Sequence, residues 1–238
     1  MNKTAKALVA AAALACSASA RAAEPAAEED VEGAVGWSVI AVGVASPVQL
    51  PWGCARWDIY GLDFNLFYSD APKMYGLHAA GLAGVVRDDL KGVQFTCLFN
   101  WGFHNVYGLR TTFGLNLCSE SVYGAELGLV GLRDNLYGFD ASLLGGAQHG
   151  LWGLQIGGLA TVSEKELHGC AIAGIANLVR EAHGLQLAVL FNMAEELSGA
   201  QIGIVNYVDY CKSGFQIGLV NIIMSNRLKF LPFVNGYF

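Results

Sequence analysis

The chain has 238 residues, 54% of them hydrophobic and 14% charged, with 30 glycines and 5 prolines. That apolar fraction is enough for a folded core and excludes a disordered chain. The formal charge of −6 argues against nucleic acid as a partner, because phosphates need a basic surface. Beyond the N-terminus no run of about 18 apolar residues occurs, so membrane-crossing helices are not expected.

Residues 1–22 read as a signal peptide. Lys3 and Lys6 precede an apolar stretch from Ala7 to Ala15, and Ala20-Arg21-Ala22 has the small-x-small form of a cleavage site. A buried N-terminal helix is the alternative. Cys16 is a candidate lipidation site, although Ala13 stands where a lipobox has Leu. Residues 23–34, with Glu24, Glu28, Glu29, Asp30 and Glu32, read as an acidic, solvated arm. Residues 35–238 are expected to form a single β-repeat domain. The cysteines left after cleavage (Cys54, Cys97, Cys118, Cys170 and Cys211) fit neither a disulfide framework nor a zinc pattern. Cys97 and Cys170 fall at apolar repeat positions and read as small hydrophobes.

From Gly61 the chain restates one unit, led by Gly61, Gly76, Gly92, Gly108, Gly124, Gly138, Gly153, Gly169, Gly184, Gly199 and Gly214 at spacings of 14 to 16. The residue before the glycine is often aromatic, as at Tyr60, Tyr75, Tyr107, Tyr123, Tyr137 and Trp152. With the glycine as position one, positions two, four and six are mostly apolar. Position three is usually polar, as at Asp63, His78, Gln94, Arg110, Glu126 and Gln216. This period-two alternation predicts a strand with one apolar, core-facing side. Charges collect between units, in Arg87-Asp88-Asp89, Arg133-Asp134-Asn135, Glu164-Lys165-Glu166, Arg180-Glu181 and Glu195-Glu196, and read as solvated turns.

Two all-β architectures fit. The favoured one is a repetitive antiparallel meander of about twelve or thirteen short strands closing into a shallow barrel, because an open sheet of that size leaves long edges. The turn-like composition between units supports it, and it would lay a Gln at position three over a Gly at position five. A last strand near Phe230–Phe238 would accept Pro232 at its edge. The alternative is a parallel β-solenoid, in which equivalent residues stack.

The clearest units, Gly199-Ala200-Gln201-Ile202-Gly203-Ile204-Val205-Asn206 and Gly214-Phe215-Gln216-Ile217-Gly218-Leu219-Val220-Asn221, carry a resemblance. They resemble the bacterial surface-repeat family of envelope proteins and are similar to the shallow barrels called β-flowers. The likeness covers about residues 57 to 238 and weakens before Gly124. It implies an exported, envelope-associated β protein and brings no catalytic residues with it.

Chemical motifs are scarce. There is no Gly-x-Ser-x-Gly, phosphate-binding loop or His-Glu-x-x-His. The settings of Cys54 (Trp52-Gly53-Cys54-Ala55-Arg56) and Cys170 (Gly169-Cys170-Ala171) do not form a nucleophile elbow. His168 and His183 share the position before the glycine, which a meander would place at opposite strand ends. Arg110 and Glu126 share position three and are expected to form an ion pair rather than a proton-transfer pair. The aromatics before the glycines suit interfacial girdles of a membrane barrel or the caps of a soluble core. The expectation is a non-catalytic, exported cell-envelope or surface repeat protein, outer-membrane-associated, periplasmic or at the cell surface. No catalytic, cofactor or metal residues are assigned. Its partners would be a membrane or envelope surface, with an apolar ligand as a further candidate. A barrel holding a lipid and an unrecognised enzyme are the alternatives.

Overall fold

A residue that recurs at a fixed interval stands beside its own kind only when successive copies run in the same direction, and that is the arrangement found. The computed structural model describes residues 36–237. The expected signal peptide, Cys16 and the acidic arm lie outside them. Contacts gather the described residues up to Asp134 into one compact unit and those from Asn135 onward into a second. Each unit is a parallel β-solenoid.

The first unit opens with β1 (Gly36–Ala45) and the short β2 (Val48–Leu50), which pair antiparallel, followed by a 3-10 turn at Cys54–Arg56. Coils then alternate long and short strands. These are β3 (Trp57–Ala71), β4 (Met74–Ala80), β5 (Ala83–Val86), β6 (Leu90–Thr96), β7 (Phe99–Gly102), β8 (Val106–Thr112) and β9 (Leu115–Cys118). The long legs β3, β4, β6 and β8 pair parallel, as do the return legs β5, β7 and β9. β10 (Ser121–Ala173) begins in the first unit and continues in the second, winding through successive coils in which Gly153 lies against Gly138 and Gly169 against Gly153. The second unit adds β11 (Ala176–Ala188), β12 (Phe191–Ile202) and β13 (Val205–Ile223), all parallel, and ends with β14 (Phe230–Tyr237), antiparallel to β13. Pro232 falls where the β13–β14 register shifts, between the pairs Gly218↔Phe233 and Asn221↔Leu231.

The antiparallel meander and its barrel are therefore corrected to the alternative, the parallel solenoid. Gln186 pairs with Gln201, and Gln201 with Gln216, rather than with glycines at position five. The turn-like segments between units turned out to be return legs. The outward leg of a coil is only seven residues, Met74–Ala80, so the four-residue strand Ala83–Val86 and its two corners bring the chain back.

The leading glycines make this stacking possible. At Gly76, Gly92 and Gly108 φ is +135°, +145° and +133°, a region that side chains other than glycine rarely enter. A Cβ at any of them would lie 2.0–2.1 Å from the carbonyl oxygen of the glycine one coil earlier.

Inside each coil the side chains sort by position. Two residues before the glycine stands a buried apolar column that includes Ile59, Met74, Leu90 and Val106 in the first unit and Leu151 and Leu167 in the second. Position three, expected to face solvent, is instead fully enclosed: Asp63, His78, Gln94, Arg110, Glu126 and Gln201 are each 0% exposed. Positions two and four, expected to form the core, point outward: Phe95 is 41% and Ile217 42% exposed.

Candidate functional site

The feature that sets this protein apart is a polar interior under an apolar outer wall, and the interior explains how the wall can exist. A buried amide without a partner costs roughly 2–7 kcal/mol. Parallel coils lower that cost by setting one amide against the next. Gln201 Nε2 donates to Gln186 Oε1 at 2.6 Å, and Gln216 Nε2 to Gln201 Oε1 at 2.7 Å.

A second ladder runs through asparagines near position nine. Asn177 donates to Asn192, Asn192 to Asn206 and Asn206 to Asn221, at 2.8–2.9 Å. Each side-chain nitrogen also donates to a backbone carbonyl on the outward leg of the next coil, Asn192 to Ile202 O and Asn206 to Ile217 O, both at 2.8 Å. In the first unit Asn100 reaches Asn116 at 3.0 Å in the same way. The asparagine ladder thus ties return leg to outward leg behind the apolar corner. The asparagines were not singled out from the sequence, although their interval matches that of the glycines and could have been read.

The charged residues at position three are held in the interior too. Arg110 and Glu126 form the expected ion pair, at 2.5 Å; Arg133, expected in a solvated turn, is instead drawn inside, its Nη1 3.0 Å from the other carboxylate oxygen, and all three side chains are 0% exposed. Two guanidiniums on one carboxylate form a structural clamp out of reach of any substrate. Asp63 accepts from Ser69 Oγ in a very short hydrogen bond and from Asn65 Nδ2 at 2.8 Å, while His78 Nε2 lies 3.6 Å away. Burial pushes the Asp63 carboxyl up to about 6 and the His78 imidazole down to about 4. The carboxylate sits directly on the hydroxyl, with no histidine between them, and all three groups are sealed. This is not the geometry of an activated nucleophile.

His168 and His183, expected at opposite strand ends, are neighbours in register, their rings stacked at 4.8 Å. They extend a stack that includes Tyr137 and Trp152, centroids 4.7 Å apart, with Trp152 5.7 Å from His168. Among the described residues no group of three or more His, Cys, Asp or Glu stands together as a metal site. All five described cysteines are free, and Cys97 and Cys170 sit half-buried on the outer side. Burial raises the Cys118 thiol to about 11, so it is no nucleophile.

The outer wall is the exposed feature. From position two to position nine the eleven coils hold four charged residues, Asp63, Arg110, Glu126 and Asp140, and all four are 0% exposed. What faces outward there is apolar, and most exposed at the corner between the legs. Leu66, Leu98 and Phe113 are 61%, 57% and 71% exposed in the first unit, and Leu219 is 58% exposed in the second. Beside Leu219, the residues Val189, Ile204, Phe233 and Val234 line a shallow apolar groove. The opposite corner carries the charges, in pairs such as Lys73–Asp88 at 3.2 Å and Arg87–Asp70 at 2.6 Å.

Between the two zones of the first unit runs the aromatic row. Tyr60 stacks on Tyr75 and Tyr107 on Tyr123, each pair at 4.9 Å, and Lys91 Nζ bridges them at 5.2 Å from the Tyr75 ring and 5.5 Å from the Tyr107 ring. Comparison with protein-family models, curated proteins and solved structures gives no match to this chain.

Proposed function

We propose that this protein is a non-catalytic, exported envelope protein that contacts membrane or envelope material through the apolar outside of its coils. One observation carries the reading: every charged side chain from position two to nine is sealed in the interior, so the outer wall offers adhesion and no chemistry. Exposed apolar surface of this extent marks a partner or a membrane. The lysine-bearing start and Ala20-Arg21-Ala22 support export.

The test is fractionation of producing cells followed by a carbonate wash of the membrane pellet. Envelope-associated protein with its N-terminus at Ala23 is expected, and cytoplasmic protein retaining Met1 would overturn the reading. An apolar ligand is the second reading, and the apolar groove lined by Ile204, Leu219 and Phe233 supports it in place of a barrel lumen.

A further inference from the structure

We infer that the first unit enters a lipid bilayer edge-on, burying its apolar corner in one leaflet with its tyrosine row at the headgroup level and its charged corner in water; this deepens, and rests on, the envelope reading above. Three observations carry it.

The first is order. On outward legs of the first unit the chain passes from charge to aromatic ring to apolar side chain, as at Lys73, Tyr75 and Leu82 and again at Glu120, Tyr123 and Leu129, with Lys91 standing in the ring's place on the leg between Tyr75 and Tyr107. Amphipathic rings settle at the membrane–water boundary, and a water-to-hydrocarbon gradient selects that sequence of side chains. On the return leg Trp101 stacks on Phe103 at 4.7 Å, so both legs carry rings between the apolar corner and the charged one.

The second is depth. From Tyr107 to Phe113 is six residues, about 20 Å at roughly 3.3 Å per residue. The hydrocarbon of one leaflet is about 15 Å deep and a full crossing needs about 30 Å. The edge therefore fills one leaflet and stops.

The third is distribution. The apolar side chains cover the outward leg (Leu109), the corner (Phe113) and the return leg (Leu115 and Leu117). A second copy would bury one patch of about 800 Å² per partner and leave the other side of the edge in water. Fluid lipid covers both sides at once. Among the described residues, Lys73 and Arg87 at the charged corner are each neutralised by an acid, Asp88 and Asp70, so the attraction is to acyl chains and not to anionic headgroups.

The experiment uses the full chain with Cys16→Ala, Cys97→Ala and Cys170→Ala, in which the remaining Cys54, Cys118 and Cys211 are buried. A polarity-sensitive fluorophore is placed at Phe113→Cys or, separately, at Glu120→Cys, and the protein is mixed with vesicles of zwitterionic phosphatidylcholine. The protein should float with the vesicles. The label at 113 should shift to the blue and resist a water-soluble quencher, while the label at 120 stays quenchable. Flotation should persist from about 0.1 M to about 1 M salt, where the screening length falls from about 10 Å to about 3 Å. Adding Leu98→Asp should return the 113 label to water while the far-ultraviolet dichroism is unchanged, since Leu98 lies outside the core.

A protein that does not float, or floats with its 113 label in water, overturns the inference. So does self-association without lipid that Leu98→Asp abolishes, which would identify a second copy as the occupant. Fractionation judges the envelope reading separately: an envelope-resident protein with an aqueous corner loses this inference and keeps that reading.

Discussion

His78 and Asp63 share one buried layer with opposite responses to acid. Burial lowers the His78 imidazole from its ordinary 6.5 to about 4, so as pH falls through that window the unfolded chain takes up a proton that the folded chain refuses, and stability declines. Burial raises Asp63 from 3.8 to about 6, so between those values the folded chain takes up the proton first and stability rises. The two effects oppose each other, and between pH 6 and 4 the parent should change little on their account. His78→Gln, which places at position three the amide found there in Gln94, removes only the histidine limb. The difference in unfolding free energy between variant and parent should then grow by about 3 kcal/mol from pH 6.5 to 4, read from urea titrations at several pH values. A constant difference would show that His78 takes up its proton in the fold.

The asparagine ladder gives a second expectation at this scale. Asn192→Ala strands the Ile202 carbonyl and the Asn206 carboxamide oxygen in the interior. It should cost about 2–4 kcal/mol, because each buried group left unpaired costs roughly 1–3 kcal/mol. Glu196→Ala on the charged corner should stay within about 0.5 kcal/mol of the parent. Equal losses in the two variants, measured by thermal melting, would contradict the ladder.

At the scale of the element, the unit of construction is the coil. Its interval was legible, because glycine recurs wherever one backbone lies against the next and tolerates no Cβ there. The all-β class was legible from the period-two alternation. The side that faces inward was not, since an alternating strand has the same pattern whichever face is buried. Leu-Gln-Ile reads as core-polar-core if burial follows hydrophobicity, and here it does not. Strand direction was lost with it: an interior of Gln and Asn is tolerable only if like amides stack in register, and that argues for parallel coils only once the interior is known to be polar. An antiparallel meander would have separated His168 from His183 for the same reason.

Cysteines at Gln186 and Gln201 should crosslink efficiently on mild oxidation, because these positions face each other across β11 and β12. The pair at Gln186 and Gly203 should not. The reverse outcome would restore the antiparallel hairpin.

At the scale of the molecule, stability in such a stack comes from each coil and its immediate neighbours. β14 closes the second unit by pairing antiparallel with β13, occupying an edge that would otherwise accept another chain. Between the ends, one coil resembles the next closely enough to be exchanged. Removing residues 184–198 would bring Gly199 onto the place of Gly184, following His183, with glycine again meeting Gly169. The shortened protein should fold with its β dichroism intact and unfold at a somewhat lower temperature. Loss of cooperative unfolding would mean that coils in the second unit are not interchangeable.

The glycine column has a consequence for inheritance. A gene that encodes near-copies at a constant interval is prone to misaligned recombination, which adds or drops whole intervals. In most folds such an event destroys the product, because the inserted segment has nowhere to go. In the run of coils led by Gly184, Gly199 and Gly214, each gained or lost interval still presents a glycine to a glycine and an amide to an amide. Chain length is therefore a trait that selection can adjust one coil at a time, leaving the side chains of the remaining coils as they are.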